Sequence, residues 1–312
     1  MTTAHGSRAS LSEVSVVIPA LNEAKNLPSV FARMPTGLHE VILVDGESVD
    51  GTVDVARRLR PDIRIVHQTR TGKGNALACG VASATGEIIA LIDADGSSDA
   101  AEIPQFVEAL NNGAQFAKGS RFIEGGGSSD ITLLRKFGNR LLTIFFNLRF
   151  HKHYSDLCYG FNLFWRRDAA VLGLDEAPSL ASYETGSQWG DGFEIETLIH
   201  LRVAKAGLLV TEVPSFEHER LHGVSNLSAF PDGLRVLRTI LMGTSALRGS
   251  QPDNGLGAIR HDRSRANVPE FDGRANPLPK TSSSAALRFR LAPSSNASLS
   301  ELSSSSDAAG DR

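Results

Sequence analysis

Between residues 14 and 92 the chain alternates short runs of β-branched and aliphatic residues with longer stretches of helical periodicity, and few folds accommodate that alternation. Residues 14–18 form an apolar run closed by Pro19, and residues 22–34 place Leu27, Val30, Phe31 and Met34 on one side of a helix. The unit recurs as strand 40–44, helix 52–59, strand 63–67, helix 75–84 and strand 88–92. The strand runs are continuously apolar instead of alternating, so both of their faces must be covered. Successive strand–helix–strand units of this kind predict an α/β fold: a Rossmann-like, mostly parallel central sheet with helices on both faces. Ligands of such sheets gather at the C-terminal ends of the strands.

Those ends carry the polar residues. Pro19-Ala20-Leu21-Asn22-Glu23 follows the first strand, and Asp45-Gly46-Glu47-Ser48-Val49-Asp50-Gly51 follows the second. Thr71-Gly72-Lys73-Gly74 precedes the third helix, and Asp93-Ala94-Asp95-Gly96 follows Ile92. The folded pattern covers residues 13–248, preceded by a polar segment, 1–12, expected to be flexible. Residues 249–312 form a Ser-, Ala- and Arg-rich tail with too little apolar surface to offset an ordering cost of about 1–2 kcal/mol per residue, so disorder is expected there. With 32 Lys and Arg against 35 Asp and Glu, the net charge of −3 excludes a protein held to nucleic acid by a dominant basic field. No run approaches the roughly 20 apolar residues that cross a bilayer, and the N-terminus has no signal-like apolar core, which predicts a cytoplasmic protein. Cys79 and Cys158, without CxxC spacing, suit a reducing compartment.

Asp93 and Asp95 lie one residue apart just beyond a buried strand, so both carboxylates emerge at one rim. Two hard oxygen ligands there suit Mg²⁺ or Mn²⁺, which keeps open positions for substrate phosphates and neutralises a departing diphosphate. Asp-x-Asp-Gly is also ordinary turn chemistry. Gly72-Lys73-Gly74 opens a helix, where amide N–H groups, the helix dipole and the Lys73 charge could face a diphosphate, although a Gly-Lys-Gly turn is commonly only a turn. Asp45 is placed to hydrogen-bond a base or ribose, whereas Asp50 reads as a helix cap.

Together these segments, Val-Ile-Pro-Ala-Leu-Asn-Glu, Val-Asp-Gly-Glu-Ser-Val-Asp-Gly-Thr, Gly-Lys-Gly-Asn-Ala and Ile-Asp-Ala-Asp-Gly-Ser, resemble in order and spacing the family 2 glycosyltransferases of the GT-A fold. Within that family the chain is most similar to the polyprenol-phosphate (dolichyl-phosphate) mannose synthases, over residues 14–241. The resemblance implies that Pro19, Glu23 and Asp45 hold the nucleoside of a sugar nucleotide, that Lys73 and Ala94 border the diphosphate, and that Asp93 and Asp95 are the metal pair. Lys118-Gly119-Ser120-Arg121-Phe122 resembles the branch's Gly-Ser-Arg element, which gives Arg121 the acceptor phosphate; a structural ion pair is the competing reading. Asp156, in a segment resembling Asp-x-x-x-Gly-Phe, would orient basic neighbours. His218-Glu219-Arg220-Leu221-His222-Gly223-Val224-Ser225 resembles the Arg-x-x-Gly-x-Ser loop, so Arg220 and Ser225 would fold over the diphosphate, while His218 and His222 read as surface histidines. Asp191 and Glu194 lie where other members place a general base, a role a phosphate acceptor does not need. The chain departs from the family at Gly46-Glu47 and at Gly96-Ser97, where the mannose synthases carry Leu-Gln.

Residues 131–153 contain five basic and no acidic side chains, with Leu, Ile and Phe recurring around the helix. They fit either a core helix with snorkelling basic ends or a segment lying in a membrane interface. The expected function is therefore inverting, metal-dependent transfer of mannose or glucose from GDP-mannose or UDP-glucose to a polyprenyl phosphate, by a peripheral protein at the inner face of the plasma membrane. Two alternatives remain: a soluble transferase to a small hydroxyl acceptor with Asp191 or Glu194 as base, and an inactive adaptor that retains the fold.

Overall fold

The computed structural model describes residues 9–175, 190–223 and 229–242. The tail 249–312, the first eight residues and Ser225 lie outside the described residues. Residues 9–12 are ordered: the Ala9 N–H donates to Asn111 Oδ1 at 2.8 Å, and Leu11–Glu13 form a 3-10 turn.

The chain runs β1 (Val14–Ala20), α1 (Leu27–Ala32), β2 (Glu40–Asp45), α2 (Thr52–Leu59), β3 (Arg64–His67), α3 (Lys73–Ser83), β4 (Ile88–Leu91), α4 (Ile103–Asn111) and β5 (Phe116–Ser120). It continues through β6 (Gly127–Ser128), α5 (Leu133–Phe150), β7 (Asn162–Trp165), α6 (Ala169–Leu172), α7 (Ile195–Ala206), β8 (Val210–Pro214), β9 (Phe216–Glu217) and α8 (Ala229–Met242). Seven strands form one sheet in the order β3-β2-β1-β4-β7-β5-β8, and β6 pairs with β9. All neighbours in the large sheet are parallel except β7, which runs antiparallel between β4 and β5.

The continuous apolar strands are covered on both faces, as their composition requires. Val14, Val16 and Ile18 pack into one core cluster with Leu27, Val30 and Phe106, while Val17, Ile42 and Val44 pack into the other with Leu77, Val81 and Phe164. Helix ends follow local chemistry: Thr132 accepts the Arg135 N–H at the start of α5, and Gly207 closes α7 with a left-handed φ of 71°. The sheet changes direction of growth between β1 and β4, and a crevice opens there beyond the strand ends.

Candidate active site

The crevice is the mouth of a cavity of about 1660 Å³. Pro19, Ala20 and Glu23 approach from the end of β1, Gln68 and Thr71 from beyond β3, and Asp93, Ala94, Asp95 and Ser97 from beyond β4. Arg121, Tyr159, Gly160, Glu196, Thr197 and Glu217 line its middle. Beyond them Leu134, Leu141, Leu142 and Phe145 of α5 face Leu234, Val236 and Leu237 of α8.

The β4 loop is shaped by Gly96, whose φ of 80° favours glycine, and by the Ser97 N–H, which donates to Asp95 Oδ1 at 2.9 Å. The second oxygen of Asp95 meets Arg220 Nη2 at 2.7 Å, and Arg220 Nη1 lies 3.4 Å from Glu23 Oε1. Lys73 Nζ bridges Asp93 Oδ1 and Glu196 Oε1, both at 2.6 Å. Burial opposes the Lys73 charge, yet these two carboxylates outweigh it and raise the ammonium's pKa above its ordinary value. Burial also raises the carboxyl pKa of Glu196 and of Glu23, with the Asp93 charge adding to both shifts.

Arg121, buried beneath the cavity, is gripped at two edges. Nε and Nη2 meet Asp156 at 2.7 and 3.0 Å, and Nη1 meets Glu217 at 2.9 Å. Desolvation works against the Asp156 charge, but the Arg121 hydrogen bonds and charge prevail and hold its carboxyl at about 2. Lys118 lies fully buried 3.9 Å from Glu212, and burial lowers its pKa. His200 is buried with neither ring nitrogen partnered among the described residues, and desolvation keeps it neutral.

Seven of the predicted site residues, Pro19, Glu23, Lys73, Asp93, Ala94, Asp95 and Arg220, meet at the polar end of the cavity, with Arg121 at its floor. Asp45 stands behind the wall, its carboxylate accepting the Glu47 and Ser48 N–H groups. Asp191 and Glu194 do not line the cavity. Asp191 holds Arg70 through bonds of 2.9 and 2.7 Å, and Glu194 accepts the Gly190 N–H at 3.0 Å. The α7 acid that does face the cavity is Glu196, which sequence reasoning passed over. Its signal was present, because Phe193, Glu196 and Thr197 recur at helical spacing in the sequence and all three line the cavity. Glu217 was missed as well, and its link to Arg121 spans 96 residues of sequence. The start of α3 is less open than expected, since the Gly74 N–H donates to the Asp191 carbonyl at 2.7 Å. A side chain at Gly72 or Gly74 would collide with that same 190–191 segment. Asp50 accepts the Ala24 and Thr52 N–H groups, tying the loop after β1 to the start of α2.

Among the described residues no three His, Cys, Asp or Glu side chains converge as a complete metal cage. The donor set nevertheless fits a hard divalent cation that takes part of its coordination from substrate oxygens. Asp93 and Asp95 offer only oxygen, and each already has a basic group seated on its carboxylate. The lining holds seven carboxylates, Glu23, Asp93, Asp95, Asp130, Glu196, Glu217 and Asp232, against Lys73, Arg121, Arg135 and Arg220. An anionic ligand entering this acid-rich cavity gains from an accompanying cation.

Sequence comparison decides the family. A profile described as glycosyl transferase family 2 matches residues 15–172. The chain belongs to that family. An uncharacterized glycosyltransferase of Mycobacterium tuberculosis is 44% identical over 108 residues, 35% of this chain and 48% of that protein, so the chain spans about half the length of such relatives. A dolichol-phosphate mannosyltransferase of Pyrococcus furiosus is 33% identical over 40% of this chain and 37% of its own length. An undecaprenyl-phosphate mannosyltransferase of Micrococcus luteus is 26% identical over 75% of this chain and 95% of that protein. Among solved structures, glucosyl-3-phosphoglycerate synthase from M. tuberculosis, in complex with Mn²⁺, UDP and glucosyl-3-phosphoglycerate, superimposes with a TM-score of 0.54 at 22% identity, covering 78% of this chain and 82% of that one. That likeness establishes the GT-A fold for this chain.

Proposed function

We propose that the chain transfers a hexose, mannose or glucose, from a nucleotide sugar to a polyprenyl phosphate at the cytoplasmic face of the plasma membrane, inverting the anomeric carbon. The observation that carries this reading is the two-part cavity: an acid-rich polar end continuous with an apolar trough between α5 and α8. A nucleoside diphosphate with its sugar suits the first part, and a polyprenyl chain the second. Outside the trough Leu133 and Leu148 are 86% and 73% exposed, and Phe137 is exposed with them. Their apolar face, on a helix that also exposes Lys136, Arg140 and Arg149, suits the interface of an anionic membrane. Among the described residues no helix is long and apolar enough to cross a membrane.

Pro19 and Glu23 border the nucleoside, with Asp45 behind them. Asp95 and Asp93 would hold Mg²⁺ or Mn²⁺, which supplies charge neutralisation at the leaving diphosphate. Lys73 and Arg220 add fixed positive charge at the same place. The acceptor phosphate is already anionic and needs no base, so the commitment of Asp191 and Glu194 to Arg70 and Gly190 costs nothing. Arg121 sits at the floor where a phosphate would rest, its orientation fixed by Asp156 and Glu217. Catalysis on this reading is positional and electrostatic.

A second reading, transfer to a small hydroxyl acceptor, is favoured by one observation: Glu196 faces the cavity with its carboxyl pKa raised, as a general base requires. Purified protein with Mn²⁺ or Mg²⁺, a panel of GDP- and UDP-sugars, and either polyprenyl phosphate in detergent or 3-phosphoglycerate separates the two. Label passing into lipid supports the first reading, and label passing only into the soluble acceptor supports the second. Absence of metal-dependent donor binding would leave a non-catalytic adaptor.

A further inference from the structure

Both oxygens of Asp95 are engaged. Oδ1 accepts the Ser97 N–H at 2.9 Å, and Oδ2 carries the Arg220 guanidinium at 2.7 Å. A cation approaching Oδ2 therefore meets a positive charge already in place, and Glu23, 3.4 Å from Nη1, gives that charge a second anchor. The backbone carrying Arg220 is held independently of its side chain. The His218 N–H donates to the Ser97 carbonyl at 2.9 Å, and Asn26 Nδ2 donates to the His222 carbonyl at 3.1 Å. The guanidinium can thus leave Asp95 by side-chain rotation while its own segment stays against the β4 loop.

We propose that Arg220 is a built-in competitor for the divalent cation on Asp95, and that an arriving diphosphate draws it away, so that cation and nucleotide bind cooperatively through one guanidinium. The proposal rests on the reading of Asp95 as the cation-binding side chain. Its physical basis is exchange between like-charged partners. In the absence of nucleotide a cation must displace the guanidinium from its carboxylates and leave it beside a dication. A diphosphate offers the planar guanidinium two oxygens at once, replacing the contact that it gives up. The cation then takes Asp95 with the diphosphate beside it. By linkage, whatever the nucleotide does for cation affinity the cation does equally for nucleotide affinity. A cation alone is thereby disfavoured, and the site fills when donor and metal arrive together.

The test is Mn²⁺ binding to the full chain, read from the electron paramagnetic resonance signal of free Mn²⁺. It is run without nucleotide and with GDP or UDP, corrected for Mn²⁺ held by free nucleotide. Wild type is expected to bind Mn²⁺ weakly alone and about tenfold or more tightly with one of the nucleotides. R220Q is expected to bind Mn²⁺ alone about fivefold more tightly than wild type, the scale of a partly buried ion pair, and to lose a similar factor of the nucleotide's effect. R220K, which keeps the charge and folds without the planar fork, is expected to lie between them. Unchanged or weaker Mn²⁺ binding by both variants overturns the exchange and leaves the metal site standing, provided that D95N abolishes binding. Absence of nucleotide-linked Mn²⁺ binding in wild type overturns the exchange and the proposed metal site together.

Discussion

At the scale of single residues, the site is organised by charges that hold one another. Asp156 is the clearest case, because its folded carboxyl is held at about 2 against an ordinary 3.8. A depressed carboxyl contributes stability that is complete above about pH 4 and is lost as the pH falls toward 2, a contribution of about 2 kcal/mol. Chemical denaturation of the wild type between pH 5 and 2 is expected to show this loss. D156N is expected to lack that slope and to be less stable by about 3 kcal/mol at pH 7, because Arg121 is left buried beside one remaining carboxylate. Glu196 separates the two readings of the acceptor. E196Q, which can still hydrogen-bond Lys73, is expected to keep transfer to a phosphate acceptor within about tenfold of wild type, whereas loss of a general base lowers rates by about 10²–10⁴. Steady-state rates with polyprenyl phosphate check it. The polar residues at the strand ends were legible in the sequence because each loop is local, with a few residues following an apolar run. The partners that fix those residues were not, since Lys73 and Glu196 are 123 positions apart and only the closed sheet brings them together.

At the scale of elements, periodicity located all seven of the first strands and helices, β1 to β4 with α1 to α3, that build the half proposed to face the nucleotide, and it misjudged their ends where loops made their own hydrogen bonds. The first helix was expected from residue 22, yet α1 begins at Leu27. Asn22 takes a left-handed φ of 59°, and the Glu23 and Ala24 N–H groups go to Thr52 and Asp50 instead of a helical turn. The antiparallel run of β7 had no signature in its four residues, because its direction follows from the return of the chain after α5. Close packing of α3 on the sheet is set by Gly80, where a Cβ would collide with Val17 and Val44. G80A is expected to lower stability by about 1–3 kcal/mol through overpacking, measured by thermal or denaturant unfolding. The outer face of α5 is the opposite case. Phe137 and Leu148 are exposed and do not line the cavity, so F137Q/L148Q is expected to change stability by less than about 1 kcal/mol. If that face meets lipid, the same variant loses about tenfold or more of its binding to vesicles containing anionic phospholipid, read by flotation. Equal flotation of variant and wild type would place the membrane contact elsewhere.

At the scale of the whole molecule, the sheet gathers an excess of carboxylates around the place where an anionic donor is proposed to bind, and that imbalance ties the proposed chemistry to a divalent cation. The fold class was legible because strand–helix alternation admits few arrangements. The pairing of the apolar trough's two walls was not legible, since α8 is supplied by a segment about 80 residues after α5 in the chain. The most direct test of the account is incorporation of labelled hexose from a nucleotide sugar into lipid-extractable product, comparing wild type with D95A at matched Mn²⁺ and matched folding. Expected is metal-dependent incorporation by wild type and a fall of about 100-fold or more in D95A. Equal incorporation by the two proteins, or incorporation indifferent to metal, would contradict it.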